Sequence, residues 1–348
     1  MHITRRRFNT LALGAAAVGL AHPGLAQDKP RHITYNGAGG SQEEGVKAAF
    51  LDRFTAETGI PVVTSSPTDF GKLRAMVDTN SVIWDLTEIG GQDILRAQQL
   101  NLLEPIDPAV VDRTEFVPEA IFSHALSAFV YSTVIGYNTG TFAEGPQNWK
   151  DFWDFDKFPG QRSMRSHPTV NLEAALLADG VDPKDLYPLD LDRAFSKLDE
   201  IADQTIWWTA GAQPPQLLLD GEVALATGWN GRFFTLMQEG APLAIAWGQG
   251  ALLPGGVGIP RGTPNTVWAQ KVLSFMAHPE WQAQFAASQA YSGTHKRSGD
   301  FMPADIAKHL PLYPDNARTQ WWVNLEWWLE NGDATTERWN KWMLSKQR

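Results

Sequence analysis

Short β-rich runs alternate with amphipathic helical stretches along this chain, and that alternation narrows the possible folds more than any other feature. Ile33-Thr34-Tyr35 is a β-rich run that enters the glycine-rich turn Asn36-Gly37-Ala38-Gly39-Gly40-Ser41. A helical pattern follows, with Val46, Ala49, Phe50 and Phe54 at spacings of three and four on one face. Gly59 stands where a helix-ending glycine belongs, and Pro61-Val62-Val63 reads as the next strand. Strand, helix and strand in that order favour a parallel sheet, because the helix carries the chain back to start the next strand in the same direction.

The unit recurs. Arg74 to Asp78 reads as helix, Trp84 to Ile89 as a strand ending at Gly90-Gly91, and residues 92–100 as a helix with Ile94, Leu95 and Leu100 inward. Val130 to Tyr137 is β-rich and reaches Asn138-Thr139-Gly140, expected as a first crossing between lobes. A second series then begins. Strands are expected near 162–165, at Ile206-Trp207-Trp208 and from Val223 to Thr227, with helices at 172–177, 194–201, 215–219 and 233–238. Leu243 to Trp247 reads as a second crossing, Val257 to Pro260 as a returning strand, and 266–276 as a long helix. The tail, 305–348, reads as helical and rich in tryptophan, with spacings that favour packing over a carbohydrate platform. A chain of 348 residues exceeds one small core, which suits two lobes of about 150 residues each.

Charge and composition exclude several functions. The formal net charge is −10, without a basic stripe, so nucleic acid and anionic lipid are poor partners. Cysteine is absent, which rules out disulfides, thiolate metal sites, a cysteine nucleophile and a lipidated cysteine tether. The first 26 residues read as a twin-arginine export signal: Thr4-Arg5-Arg6-Arg7-Phe8, an apolar run from Leu11 to Leu20, then Pro23, Gly24 and Ala26. Cleavage is expected after about Ala26, leaving a chain without another apolar run long enough to span a membrane. A secreted hydrolase is an alternative, since Asp151, Asp154 and Asp156 lie close together. No G-x-S-x-G or H-E-x-x-H motif accompanies them, and the histidines are scattered singly.

Several runs carry a family resemblance. Phe54-Thr55-Ala56-Glu57-Thr58-Gly59-Ile60-Pro61-Val62 resembles the first helix-to-strand junction of extracellular solute-binding proteins. Trp149-Lys150-Asp151-Phe152-Trp153 with Pro159-Gly160, Gly221-Glu222-Val223-Ala224 through Trp229-Asn230-Gly231, and Ile259-Pro260 with Thr263-Pro264-Asn265 are similar to the spermidine/putrescine-binding subgroup. The resemblance runs from residue 31 to about 345. It implies a periplasmic-binding-protein-like α/β fold (type II), with two lobes, hinge strands and a ligand cleft. Lobe 1 would take 30–138 plus 253–302, and lobe 2 would take 139–252 plus 303–348. It also implies a periplasmic receptor of an ABC importer, monomeric, without cofactor or catalytic residues, delivering a small solute to an inner-membrane permease. A ferric-ion receptor of the same fold would use an adjacent tyrosine pair, and this chain has none.

Within that resemblance, Trp229 matches the tryptophan that lies against the ligand's carbon chain, a surface suited to methylenes and to an ammonium group. The acids that hold polyamine ammoniums are missing: Leu253 and Gly255 stand at one such place, Ser166, His167 and Val170 at another, and a tyrosine near Gly91 is lost. Basic groups stand nearby instead. Arg232 follows the Trp229 turn, and Arg165 and His167 end an earlier strand. Arginine grips carboxylates bidentately, and the loop Asn36 to Ser41, through Gly39 and Gly40, offers backbone N–H groups to an anion. Glu88 or Glu43 is expected to meet an amine, and Gln213 is placed near the cleft by the same likeness. The reading is a carboxylate-bearing amine, amino-acid-like, opine-like or polyamine-type.

Overall fold

The computed structural model describes residues 28–346. The export signal expected at 1–26 lies outside them. Ten strands form one sheet: β1 (Ile33–Asn36), β2 (Val62–Ser65), β3 (Leu86–Ile89), β4 (Ala125–Asn138), β5 (Arg162–Arg165), β6 (Thr205–Trp208), β7 (Leu225–Trp229), β8 (Leu243–Gly258), β9 (Ser292–Gly293) and β10 (Trp321–Trp322). The main order is β2-β1-β3-β8-β4-β7-β5-β6, with β9 beside β4 and β10 beside β8.

The two long strands organise everything else. β4 and β8 run antiparallel from Ala125↔Gly258 to Asn138↔Leu243. β3 pairs with only the far end of β8, at Thr87↔Gly258, while β7 pairs with only the far end of β4, from Thr133↔Trp229 to Tyr137↔Leu225. A parallel set, β2-β1-β3, therefore hangs on one end of the long pair, and β7-β5-β6 hangs on the other. The expected crossing at Leu243–Trp247 and the expected returning strand at Val257–Pro260 are the two ends of one 16-residue strand. Its middle reads as a breaker because of Gly248, Gly250, Pro254, Gly255 and Gly256. Pro254 is tolerated because it lies between the β10 pairing at Leu252 and the β3 pairing at Gly256, where one edge of β8 makes no ladder. Gly255 is required by closeness: a Cβ there would stand 2.1 Å from the Phe129 ring.

One core cluster is confined to the β1 side, and a second runs from Trp84, Ile89 and Ile94 near β3 across to the β5 side. Ile33, Tyr35, Phe50, Phe54 and Leu273 pack on the β1 side, and Trp149, Phe152, Leu172, Leu176 and Phe195 on the β5 side. The tail helix Leu325–Lys346 lies on the second set, where Trp339 is 2% exposed and meets Trp207 edge-on at 5.6 Å. Strand alternation separates the tryptophan pair as expected. Trp208 is buried and donates from Nε1 to the Thr227 carbonyl at 3.0 Å, while Trp207 faces the tail helix. The tail helix also reaches the helix Gly91–Gln99 of the first set, where Arg96 pairs with Asp333 at 3.2 Å.

Candidate functional site

The carboxyl ends of β3, β5 and β7 meet over the middle of β4 and β8, as strand ends do at a switch in sheet order. They enclose a cavity of about 310 Å³. Trp229, the last residue of β7, forms one wall. Its position is enforced from three sides. Trp208 and Tyr131 meet it edge-on at 5.5 and 6.2 Å, and a Cβ on Gly211 would lie 2.5 Å from its ring. Asn230 fixes the turn that follows by accepting from the Ser132 N–H at 3.0 Å and donating to the Ala290 carbonyl at 2.6 Å.

Two guanidinium groups share this wall. Arg165 ends β5, and its side chain lies over the Trp229 ring at 5.3 Å from the centroid. Burial lowers its pKa, yet an arginine stays charged at neutral pH. Arg232, in the helix Asn230–Gln238, donates from Nη1 to the Ser41 hydroxyl at 3.4 Å, and its buried Nε has no partner among the described residues. Neither arginine makes an ion pair among the described residues. Charged donors left without acceptors in a half-buried site favour an anionic guest.

The rest of the lining is acidic and aromatic. Asp93, in the first turn of the helix Gly91–Gln99, also lacks an ion-pair partner among the described residues. Burial raises its pKa, and the positive charges of Arg96 and Arg165 oppose that rise. Phe129 and Tyr291 stack at 5.5 Å and line the floor with Tyr131. Burial pushes both tyrosines up to about 12, so their phenols are neutral donors.

The remaining expected residues have other surroundings. Glu88 lines the cavity, but its oxygens already accept from the Tyr35 hydroxyl at 2.7 Å and the Ala38 N–H at 3.0 Å. The glycine loop thus offers one of its N–H groups to the chain's own carboxylate. Burial raises the Glu88 pKa despite these donors. Asn36 braces strands, donating to the Ser65 and Pro67 carbonyls at 3.1 Å and accepting from Thr87 at 2.9 Å. Gly39 and Gly40 take φ of +78° and +63°, the left-handed turn that leads Ser41 to Arg232. Gly91 is a close approach, since a Cβ would stand 2.5 Å from the Pro254 carbonyl. Gln213 accepts from the Thr209 and Ala210 N–H groups at 2.8 Å, securing the turn that contains Gly211. His167 is turned out of this cavity by a tight bend in which its N–H reaches the Arg165 carbonyl at 2.8 Å. It lines a second cavity instead.

Sequence reasoning missed Asp93, Tyr131 and Tyr291. Asp93 follows a strand-ending Gly-Gly and was open to the logic that singled out Gly91. Tyr131 shares a strand face with Phe129 by two-residue alternation. Tyr291 carries no local signal.

Two parallel α/β sets joined by long strands, with a polar and aromatic cavity at their strand ends, define a two-lobed binding protein of the periplasmic type. Residues 49–311 match the family of bacterial extracellular solute-binding proteins, and the chain belongs to it. It is 35% identical over 331 residues to the gamma-aminobutyric acid-binding protein of Pseudomonas aeruginosa, covering 93% of this chain and 94% of that one. It is 24% identical over 343 residues to the spermidine/putrescine-binding periplasmic protein of Escherichia coli K12, covering 94% of each. Among solved structures, the Atu4243-GABA receptor superposes with a TM-score of 0.84 at 37% identity, over 90% of this chain and 97% of that one. The chain is therefore a solute-binding component of an ABC transporter, a class that binds and delivers without catalysis.

Proposed function

We infer that this receptor works in the periplasm as a monomer, entering through its N-terminal signal, and hands a small amino acid to an inner-membrane permease. The ligand carries a carboxylate and a separated ammonium, as 4-aminobutyrate does. The observation that supports this reading is the pair Arg165 and Arg232, both on the cavity wall and both without an ion pair among the described residues. They take the carboxylate. Asp93 and the Tyr131 ring take the ammonium end, by charge and by cation–π attraction, and Trp229 lies along the carbon chain. Lobe 1, residues 30–138 and 253–302, would close on lobe 2 about β4 and β8. The GABA-binding relative and the GABA receptor structure support the same ligand class.

Titration calorimetry of the full chain with 4-aminobutyrate, putrescine, spermidine and glutamate tests it. Binding of 4-aminobutyrate is expected, weakened by roughly tenfold or more in Arg232→Gln, since one hydrogen bond to a charged group contributes about 1.5–3 kcal/mol. Binding of the diamine alone, unaffected by Arg232→Gln, would overturn the carboxylate reading and leave the receptor class standing.

A further inference from the structure

Behind the first cavity lies a second of about 330 Å³, between the helices Phe70–Asp78 and Gly91–Gln99 on one side and the tail helix on the other. Its lining differs in kind from the first. Asp93 is shared with the first, while Arg74, Arg96, Gln99, His167 and Asp333 make the rest polar, and aromatic surface is limited to Trp328. His167 accepts from the Thr169 N–H on Nδ1 at 3.2 Å, so its neutral ring carries the proton on Nε2 as a donor. Burial and Arg165 push its pKa down to about 3, which keeps it neutral. Alternating donors and acceptors of this kind suit hydroxyl and amide groups better than a single charge.

The two cavities are near neighbours. A gap of about 10 Å³, room for about one water, lies between Arg165, Thr169 and Trp229. Gln92 and Asp93 line both cavities, and Gln92 lines the gap as well. The Gln92 amide folds back over Gly90, where a Cβ would come within 2.7 Å of Nε2, and it donates to Asp93 at 3.3 Å.

We propose that the second cavity is the distal half of a two-chamber ligand site, and that the Gln92 side chain is the partition that confines this chain to short ligands. The inference rests on the amino-carboxylate reading of the first chamber. With the carboxylate held by Arg165 and Arg232 and the nitrogen at Asp93, a substituent on that nitrogen points at Gln92. Removing the Gln92 side chain joins the chambers. The ligand class then admitted is an amino acid whose nitrogen carries a polyhydroxylated arm.

The probe pair is 4-aminobutyrate and its N-(1-deoxyhexitolyl) derivative, which keeps the carboxylate and a secondary ammonium. Calorimetry on the full chain reads the affinity ratio of short over long ligand. The wild type is expected to prefer the short ligand, and Gln92→Ala to shift that ratio toward the long one by tenfold or more. Gly332 lines the second chamber, and a Cβ there meets nothing closer than Trp328 at 3.7 Å, so Gly332→Leu places a plug in it. Added to Gln92→Ala, it should reverse the shift. An unchanged ratio in Gln92→Ala, with short-ligand binding intact in the wild type, would overturn the partition. A shift that survives the plug would overturn the second chamber as the place of the arm. Absence of short-ligand binding in the wild type would instead overturn the proposed function, and the partition with it. Melting curves of each variant show that the comparison is made between folded proteins.

Discussion

Two arginines on one strand show how position decides role. Arg162 and Arg165 stand at the two ends of β5, three residues apart, and strand alternation sends them to opposite faces. Arg162 is fully buried, donating to the carbonyls of Phe152, Gly160 and Asp154 at 2.6, 2.7 and 3.2 Å. Arg165 has its guanidinium over Trp229 and faces the cavity. The same substitution should therefore have opposite consequences. Arg162→Met removes three buried hydrogen bonds, although the Asp154 carbonyl still accepts from the Phe158 N–H at 3.0 Å, and should cost about 3 kcal/mol of stability, read by denaturant unfolding. Arg165→Met should leave unfolding nearly unchanged and weaken 4-aminobutyrate binding by about 10- to 100-fold, read by calorimetry. Equal effects of the two on stability would contradict this division. In the sequence, the place of Arg165 at the strand's end singled it out, but only the packing around Phe152 shows what Arg162 does.

Between elements, the tightest constraint is the contact of the helix Asn230–Gln238 with the end of the helix Pro279–Gln289. A Cβ on Gly231 would stand 2.3 Å from the Gln289 carbonyl and 2.7 Å from the Tyr291 ring. Gly231→Ala should therefore lower stability by about 1–3 kcal/mol and displace Tyr291 from the cavity floor, seen as a lower melting temperature together with weaker ligand binding. A second joint ties the tail helix to the helix Asn171–Ala178. Glu173, buried, accepts from Tyr187 at 2.7 Å and from Trp328 Nε1 at 2.8 Å, while its other oxygen has no hydrogen-bond partner among the described residues. Burial raises its pKa, and the hydrogen bonds only partly offset that. A carboxyl raised in the folded state favours folding while protonated, and that contribution is lost as pH rises through the folded pKa. Glu173→Gln keeps an acceptor for both donors and never ionises. Its melting temperature should gain on the wild type as pH rises from about 4 to about 8, a range that starts near the ordinary glutamate value. A constant difference across that range would mean that Glu173 does not titrate there.

At the scale of the whole molecule, β4 and β8 are the long strands that belong to both parallel sets. Cavity residues come from both sets, so a bound ligand links them across the cleft. Ser41 to Arg232 and Arg96 to Asp333 already bridge the same divide. A ligand that binds only this arrangement should stabilise it by about 2.7 kcal/mol at 100 times its dissociation constant, a melting shift of a few degrees. Small-angle scattering should show a smaller radius of gyration with ligand than without. A melting shift with no compaction would show that closure precedes binding.

The alternation of β-rich and helical runs determined the parallel α/β architecture, because periodicity is a local property that the chain carries residue by residue. The order of the motifs, through the family resemblance, pointed to Trp229, and the missing acids around it turned attention to Arg165 and Arg232. Tertiary structure alone decided which of these groups lack partners, since Ser41 and Arg232 are 191 residues apart and meet only across the cleft. It also decided that Glu88 fills the glycine loop from within, that one tight bend sends His167 into a second chamber, and that Tyr291 closes the first. A cavity wall is assembled from side chains distant in sequence, and the direction of each depends on backbone turns and packing that no window of neighbouring residues contains.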